Sequence, residues 1–234
     1  MSGVLYIIPI PISEGEPKKV LSDYTIEKTI SLRCFVVEKI KTSRQFLRKI
    51  DRSFPIDESE FFELNKHHNY EFEMDVIQRL KNGQDVGLMS EAGYPGIADP
   101  GNGVVIKAHQ NNIKVGSLYG PSSIFLALAT SGLNGQEFTF NGYLPKNESV
   151  RIKKIKNLTQ EVIKTNFAQI FIETPYRNES MFRDLLKYVN GDILLTIAID
   201  ITGEKEFVKT KSISEWGNNK NNLPKSPCVF ILGT

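Results

Sequence analysis

The chain has 234 residues, of which 40% are hydrophobic and 24% are charged, and its formal net charge is +2. This composition is typical of a soluble globular protein. It gives no sign of disorder, and its charge permits an anionic partner without demanding one, because nucleic-acid modules usually concentrate far more positive charge. The apolar stretch at the N-terminus is far shorter than the roughly 20 residues that a membrane-spanning helix needs. We therefore expect a cytoplasmic protein with no membrane partner.

Strand-like and helix-like patterns alternate through the first half of the chain. Five short runs are typical of strands: "VLYIIPI" from Val4, "CFVVEKI" from Cys34, "EFFEL" from Glu60, "DVGLM" from Asp85 and "IKVGSL" from Ile113. Helical patterns lie between them, at residues 18–32, 43–50, 70–83 and 103–112. Regular alternation of this kind predicts a mostly parallel sheet with helices on its faces.

The second half has a different pattern, because its last strands follow one another closely. A helix at 119–133 precedes a strand at 137–144, a basic helix at 151–164, a strand at 168–173 and a helix at 176–189. Three strand-like runs then lie at 192–201, 204–213 and 226–233, and such short connections favour antiparallel pairing. The predicted fold class is α/β with two α/β domains: residues 1–117 with a mostly parallel sheet, and residues 118–234 with a mixed sheet.

Loops rich in glycine and proline follow three of the predicted strands. They read "PIPISEG" at 9–15, "SEAGYPGIADPG" at 90–101 and "YGPSS" at 119–123. Any one of them alone is explained as a tight turn. In a parallel sheet, however, all three reach the same carboxyl edge, where glycine allows close backbone approach to a ligand. Together they predict a pocket.

Several other chemistries are excluded by their motifs. The first strand is not followed by Gly-x-Gly-x-x-Gly, and the chain has no Gly-x4-Gly-Lys-Ser/Thr, so dinucleotide and P-loop sites are not predicted. His67 and His68 are adjacent and no ligand spacing completes a metal site, so we predict no metal. Cys34 and Cys228 lie in strand-like runs and are expected to be reduced core residues.

The basic run from Arg151 to Lys164 has two explanations. Its apolar residues recur at helical spacing, which places most of its lysines on the opposite, solvated face. A surface that contacts phosphates is the alternative.

Five stretches, in this order along the chain, carry a family resemblance: "LYIIPIPI", "SEAGYPGIADPG", "LYGPSS", "NGYLP" and "FIETPYR". They are similar to L-Y-I-V-P-T-P-I-G, S-D-A-G-T-P-x-I-x-D-P-G, P-G-P, G-F-L-P and E-S-x-H-R of the ribosomal RNA small-subunit 2′-O-cytidine methyltransferases. That family is a branch of the tetrapyrrole methylase superfamily. The resemblance implies a class III S-adenosylmethionine-dependent methyltransferase that forms a homodimer and holds its cofactor in a cleft between its two domains.

The resemblance also implies which residues bind the cofactor. Backbone groups are expected to dominate, because the sulfonium of S-adenosylmethionine already carries an activated methyl group and the protein mainly positions donor and acceptor. The implied cofactor contacts are Pro11, Ile12, Ser90, Gly93, Tyr94, Ile97, Ser122, Ser123, Tyr143, Leu144 and Ala198.

The implied acceptor is RNA, with a ribose hydroxyl of ribosomal RNA as the reacting group. A ribose hydroxyl is a weak nucleophile, so a proton acceptor or an electrostatic helper is expected near the methyl group. The predicted catalytic residues are Glu38 and Glu91, and the predicted substrate contacts are Arg44, Glu173 and Arg177.

Asp99 is a further carboxylate that could accept the proton. It directly precedes "PGNGVVIKA", so it is equally well explained as the N-cap of the next helix, with Pro100 at the first helical position.

Several charged positions depart from the family pattern. "VVEKIKTSR" keeps Glu38 of the family's A-E-D-T-R but has Lys39 in place of the aspartate, and "IDIT" has Ile199 and Asp200 in place of Arg-Glu. Two alternatives therefore stay open: a methyltransferase of a tetrapyrrole or other small molecule, and a non-catalytic descendant that binds cofactor or RNA. Against the first, the first loop lacks the Gly-x-Gly-x-Gly-Asp of precorrin methylases.

Overall fold

A computed structural model describes residues 2–64, 70–218 and 223–234, and only the backbone of residues 70–72. His67 and His68 lie outside the described residues. The chain forms two compact units, Met1–Ser122 and Ser123–Thr234. The boundary predicted from sequence, between residues 117 and 118, falls in the loop that ends the first unit.

The first unit contains a five-stranded sheet in which every pair of neighbours is parallel, as predicted. The strand order is β3-β2-β4-β1-β5. Its strands are β1 (Val4–Ile7), β2 (Cys34–Val37), β3 (Glu60–Glu63), β4 (Val86–Met89) and β5 (Lys114–Ser117).

Helices cover both faces of this sheet. They are α1 (Asp23–Ser31), α2 (Ile40–Ile50), α3 (Tyr70–Lys81) and α4 (Asn102–Gln110). Because successive side chains of a strand point to opposite faces, Phe35 and Val37 of β2 pack with α1 and α2, whereas Cys34 and Val36 pack with α3 and α4. Burial raises the pKa of the Cys34 thiol to about 12, consistent with a reduced core residue.

Two of the predicted strands end earlier than expected. β1 stops at Ile7 instead of Ile10, since Pro9 has no N–H to continue the ladder. β2 stops at Val37 instead of Ile40, because Ile40 begins α2 and donates its backbone N–H to the Glu63 carboxylate at 3.0 Å. The helix predicted at 18–32 is a short 3₁₀ turn followed by α1, whose N-cap is Ser22.

The second unit contains a mixed five-stranded sheet, again as predicted. The strand order is β6-β7-β10-β8-β9; β6 and β7 are parallel, and the other neighbours are antiparallel. The strands are β6 (Phe138–Tyr143), β7 (Ala168–Glu173), β8 (Leu194–Ile199), β9 (Phe207–Ser212) and β10 (Cys228–Gly233).

Four helices flank this second sheet: α5 (Ser123–Ser131), α6 (Glu148–Thr165), α7 (Asn178–Tyr188) and α8 (Ile213–Gly217). Residues of α6, α7 and α8 form one core with inward side chains of the strands, including Phe171 and Phe230, whereas α5 lies against β9 and β10. No described helix is both long and apolar enough to span a membrane.

The basic run in α6 is not a uniformly solvated face. Arg151, its first residue, is buried, and its Nη2 lies 2.7 Å from Asp184 Oδ2 on α7. The guanidinium also donates to the Lys146 carbonyl at 2.9 Å. Arg151 therefore joins two helices of the second unit, while Lys153 and Lys156 remain exposed.

Candidate functional site

The carboxyl ends of β1 and β4 lie side by side in the first sheet. The chain leaves β1 toward α1, which packs on one face, and leaves β4 toward α4, which packs on the other. Neighbouring parallel strands whose connections leave to opposite faces create a crevice at their carboxyl ends, the usual ligand position in an open α/β sheet. Three loops meet there: the first loop (8–16), the second loop (90–101) and the third loop (118–122).

Hydrogen bonds join these three loops to one another. Ile10 in the first loop and Gly93 in the second exchange both backbone hydrogen bonds, each of 2.8 Å. The Tyr94 hydroxyl donates to the Leu118 carbonyl at 3.0 Å and accepts the Gly120 N–H at 3.0 Å. The three loops are therefore one assembly within the first unit.

Glycine is required at two positions of this assembly for different reasons. Gly93 has a φ of +66°, in the left-handed region that other residues adopt only with strain. At Gly120 the obstacle is space, since an added Cβ would lie 2.3 Å from Cβ and Cγ of Pro9. Gly93 thus allows the bridge to the first loop, and Gly120 allows the third loop to pack on Pro9.

The two predicted catalytic residues, Glu38 and Glu91, lie next to each other in the first unit. Glu38 Oε2 accepts the backbone N–H of Glu91 at 3.1 Å. The Glu91 carboxylate contacts Lys39 Nζ and the Thr42 hydroxyl. Partial burial would raise the pKa of Glu91, but the hydrogen bonds from Lys39 and Thr42 outweigh it and lower the pKa below its usual value.

Asp99 is a third carboxylate close to this pair. Burial, together with the charges of Glu38 and Glu91, raises the pKa of Asp99 to about 6, while a hydrogen bond with Ser90 acts in the opposite direction. Asp99 is not a helix cap: α4 begins at Asn102, and its N-cap is Gly101. The alternative that Asp99 caps this helix is therefore wrong, because the turn through Pro100 and Gly101 delays the helix start.

A second polar cluster lies at the carboxyl end of β7, in the second unit. The Glu173 side chain is 0% exposed, and its Oε2 lies 2.7 Å from Arg177 Nη2 in an ion pair without hydrogen-bond geometry. Arg177 also donates to the Leu144 carbonyl at 3.0 Å. Glu173 therefore lies behind the surface as a support for Arg177, instead of at the surface where an RNA contact was predicted.

The predicted cofactor contacts divide between the two units. In the first unit, Pro11, Ile12 and Ser122 are partly buried in the loops, Ser90 is buried, and Ile97 is exposed. In the second unit, Ser123 begins α5, Tyr143 is exposed at the end of β6, and Leu144 and Ala198 are buried. Arg44, a predicted substrate contact, lies on α2 with its guanidinium 5.0 Å from the Phe61 ring centre.

Sequence reasoning missed the contacts of Lys39 and Thr42 with Glu91, and the hydrogen bonds that buried Asn178 donates to the Pro224 and Ser226 carbonyls. Lys39 and Thr42 reach a residue about fifty positions away, and no local pattern shows such a contact. Within the described ranges, no group of three or more His, Cys, Asp or Glu side chains could hold a metal ion.

Comparison with known proteins shows first the fold and then the family of this chain. Diphthine synthase is similar in structure, with a TM-score of 0.63 and 15% identity over 99% of this chain and 90% of that one. The methyltransferase CobJ is also similar, with a TM-score of 0.61 and 14% identity over 100% and 95%. At this identity the likeness shows the fold alone, that of the tetrapyrrole methylases. No protein-family model matches the chain.

Relatives in sequence are more informative. Ribosomal RNA small subunit methyltransferase I of Thermotoga maritima is 30% identical over 234 residues, 98% of this chain and 98% of that protein. The protein of the same name from Buchnera aphidicola is 30% identical over 99% of this chain and 78% of that protein, and the one from Vibrio cholerae is 28% identical over 98% and 76%. The chain belongs to the ribosomal RNA small subunit methyltransferase I family and is a methyltransferase. The family resemblance seen in the sequence is thereby confirmed.

Proposed function

We propose that the chain transfers a methyl group from S-adenosylmethionine to a ribose 2′-hydroxyl of small-subunit ribosomal RNA. The observation that carries this proposal is the hydrogen-bonded assembly of three glycine-rich loops at the crevice of the first sheet. The relatives that share the family act, by their names, on ribosomal RNA of the small subunit. A cytoplasmic location and a homodimer complete the proposal.

The loop assembly offers S-adenosylmethionine backbone groups and a carboxylate. At Gly96, which is exposed, the backbone carries no side chain that would keep a ligand away. The Glu38 carboxylate, which holds the second loop, would attract the sulfonium cation. When bound, S-adenosylmethionine supplies a methyl group that is already activated for transfer to a weak nucleophile.

Asp99 is the carboxylate best suited to take the proton of the hydroxyl. A general base works best when its pKa lies near the operating pH, and the pKa of Asp99 is raised to about 6. Glu91, which was predicted to be catalytic, is already paired with Lys39 and has a lowered pKa. Glu38 holds the backbone N–H of Glu91 and thereby positions the second loop.

Calorimetry with S-adenosylmethionine and S-adenosylhomocysteine tests the cofactor part of the proposal. We expect both to bind the wild type, and Gly93→Ala to weaken both, because alanine at a φ of +66° strains the bridge to Ile10. Gly135→Ala is the matched control, since an added Cβ there meets nothing within 4 Å and the backbone is not strained. If neither compound binds the wild type at millimolar concentration, the proposed cofactor site is wrong.

The role of Asp99 has its own test. In single-turnover methyl transfer, Asp99→Asn should slow the reaction about 100-fold or more, the usual contribution of a general base, while cofactor affinity is retained. The rate of the wild type should rise with pH around the pKa of about 6. If Asp99→Asn has the wild-type rate and the same pH profile, Asp99 takes no part in the reaction.

A further inference from the structure

We propose that Tyr176 is a stacking platform for an unpaired base of the RNA substrate. This inference rests on the proposed function, because it assumes that the acceptor is RNA. It concerns the second unit alone, and it assigns a role to a residue next to the predicted substrate contacts.

Tyr176 is held in a solvent-facing position. Its side chain is 89% exposed, the highest value among the large hydrophobic residues that the structure describes. Exposure of one aromatic residue is by itself ordinary. What distinguishes Tyr176 is the turn that carries it, which is fastened to the body of the unit by buried polar groups.

The N-terminal side of this turn is fastened by Glu173. Its Oε1 accepts the backbone N–H of Thr174 at 2.7 Å, and its Oε2 faces the Arg177 guanidinium. The Arg177 N–H closes the turn on the Thr174 carbonyl at 2.9 Å. Burying a carboxylate is costly unless it is paired, so this ion pair strongly disfavours other conformations of the turn.

The C-terminal side is fastened by Asn178, which is almost fully buried. Its Nδ2 donates to the Ser226 carbonyl at 2.7 Å and to the Pro224 carbonyl at 3.2 Å. Tyr176 therefore stands on a turn that is pinned at residue 173 on one side and at residue 178 on the other. A rigid aromatic ring loses little conformational entropy when a ligand binds, which favours a binding role.

The neighbouring segments carry the charges and the second ring that an RNA ligand would need. Arg177 ties the turn to Leu144, which lies between exposed Tyr143 and exposed Lys146. Asn178 ties it to the segment 224–226, whose middle residue is the exposed Lys225. Exposed aromatic rings bordered by cations are the usual means of binding single-stranded RNA, through base stacking and phosphate contact.

The test uses a single-stranded oligoribonucleotide of about 12 nucleotides that contains one 2-aminopurine, whose fluorescence is quenched when it stacks on an aromatic ring. Tyr176→Ala should weaken binding about 5- to 150-fold, the equivalent of one stacked base, and should reduce the quenching. Tyr176→Phe keeps the ring and should bind within about twofold of the wild type. Tyr24→Ala is the control, because Tyr24 is also exposed, at 56%, but lies on α1 in the first unit.

In the oligonucleotide assay, the inference would be overturned by wild-type binding and quenching by Tyr176→Ala, by equal weakening by Tyr176→Phe, or by a wild type that does not bind the oligonucleotide. The oligonucleotide assay needs no methyl transfer, so it separates this inference from the proposed function. If Tyr176→Ala methylates small ribosomal subunits at the wild-type rate, the stacking role is wrong while the proposed function stands. If the wild type binds S-adenosylmethionine but transfers no methyl group to the subunits, the proposed function itself fails.

Discussion

The loop assembly of the first unit and the Tyr176 turn of the second are fastened in different ways. The loops are joined by the backbone pair of Ile10 and Gly93 and by the hydroxyl of Tyr94. The turn is fastened by the ionised and amide groups of Glu173, Arg177 and Asn178. The loops are held together by uncharged groups, whereas the turn depends on a buried ion pair. The two regions should therefore respond to substitution very differently.

The largest loss of stability is expected from Arg177→Ala, in the turn. It leaves the fully buried carboxylate of Glu173 without its cation, which typically costs about 3–5 kcal/mol. Urea unfolding followed by the fluorescence of Trp216 measures this loss. Trp216 is the only tryptophan of the chain and is buried in the core of the second unit, so its signal reports that unit.

Arg183→Ala is the control for this substitution, since Arg183 is exposed on α7 and should change stability by less than about 0.5 kcal/mol. The double variant Glu173→Gln with Arg177→Ala should recover part of the loss, because the buried charge is gone. A single Arg177→Ala variant as stable as Arg183→Ala would show that the turn is not held by this ion pair.

A smaller effect is expected from Gly120→Ala, in the loop assembly. The new methyl group would overlap Pro9, and overpacking of this kind costs about 1–3 kcal/mol. Since the third loop must move away from the first, we expect calorimetry to show weakened S-adenosylmethionine binding. Gly135→Ala should bind as the wild type does. Unchanged affinity in Gly120→Ala would mean that close packing of these loops is not needed for the cofactor.

Tyr94→Phe should have a milder effect in the same region. It removes the hydroxyl that joins the second loop to the third and leaves the Gly120 N–H without this acceptor. The hydroxyl makes two hydrogen bonds, each with a net worth of about 1 kcal/mol, so S-adenosylmethionine affinity should fall about 5- to 30-fold. Tyr6→Phe, a substitution on β1 of the same unit, provides the comparison. If Tyr94→Phe binds the cofactor as tightly as the wild type, the two loops do not need this link.

A last difference concerns the pH dependence of stability. The pKa of Asp99 is raised from 3.8 to about 6 in the folded chain, so folding favours its protonated form. The stability that this provides is present below about pH 4 and is lost as the pH rises through about 6. Asp99→Asn cannot ionise, so its urea midpoint by circular dichroism should fall less than that of the wild type between about pH 4.5 and about pH 7.5. Equal falls in both proteins would contradict the raised pKa.

Much of the fold could be predicted from local patterns. The alternation of strands and helices predicted the parallel sheet, and the loops at 9–15, 90–101 and 119–123 could be assigned to one edge because parallel strands share their direction. The long-range side-chain contacts were not predictable in this way. Tyr94 reaches Leu118 across 24 positions and Arg151 reaches Asp184 across 33, and no periodicity encodes such pairs.

Single residues show the same limit. Asp99 matched the sequence pattern of an N-cap, but Gly101 has a φ of +127° and turns the chain before the helix begins. Glu173 was predicted to contact the substrate, but it is one of the inward side chains of β7. In both cases the direction of the side chain depends on backbone geometry that only the folded chain defines.

The central claim is methyl transfer to ribose in ribosomal RNA, and labelling measures it directly. Small ribosomal subunits from a strain that lacks this chain are incubated with the purified protein and S-adenosylmethionine that carries a tritiated methyl group. The RNA is then hydrolysed in alkali, which cannot cleave after a ribose whose 2′-hydroxyl is methylated. We predict label in alkali-resistant dinucleotides, and its loss in Gly93→Ala. Label in mononucleotides, or none in RNA while the cofactor binds, would contradict the account.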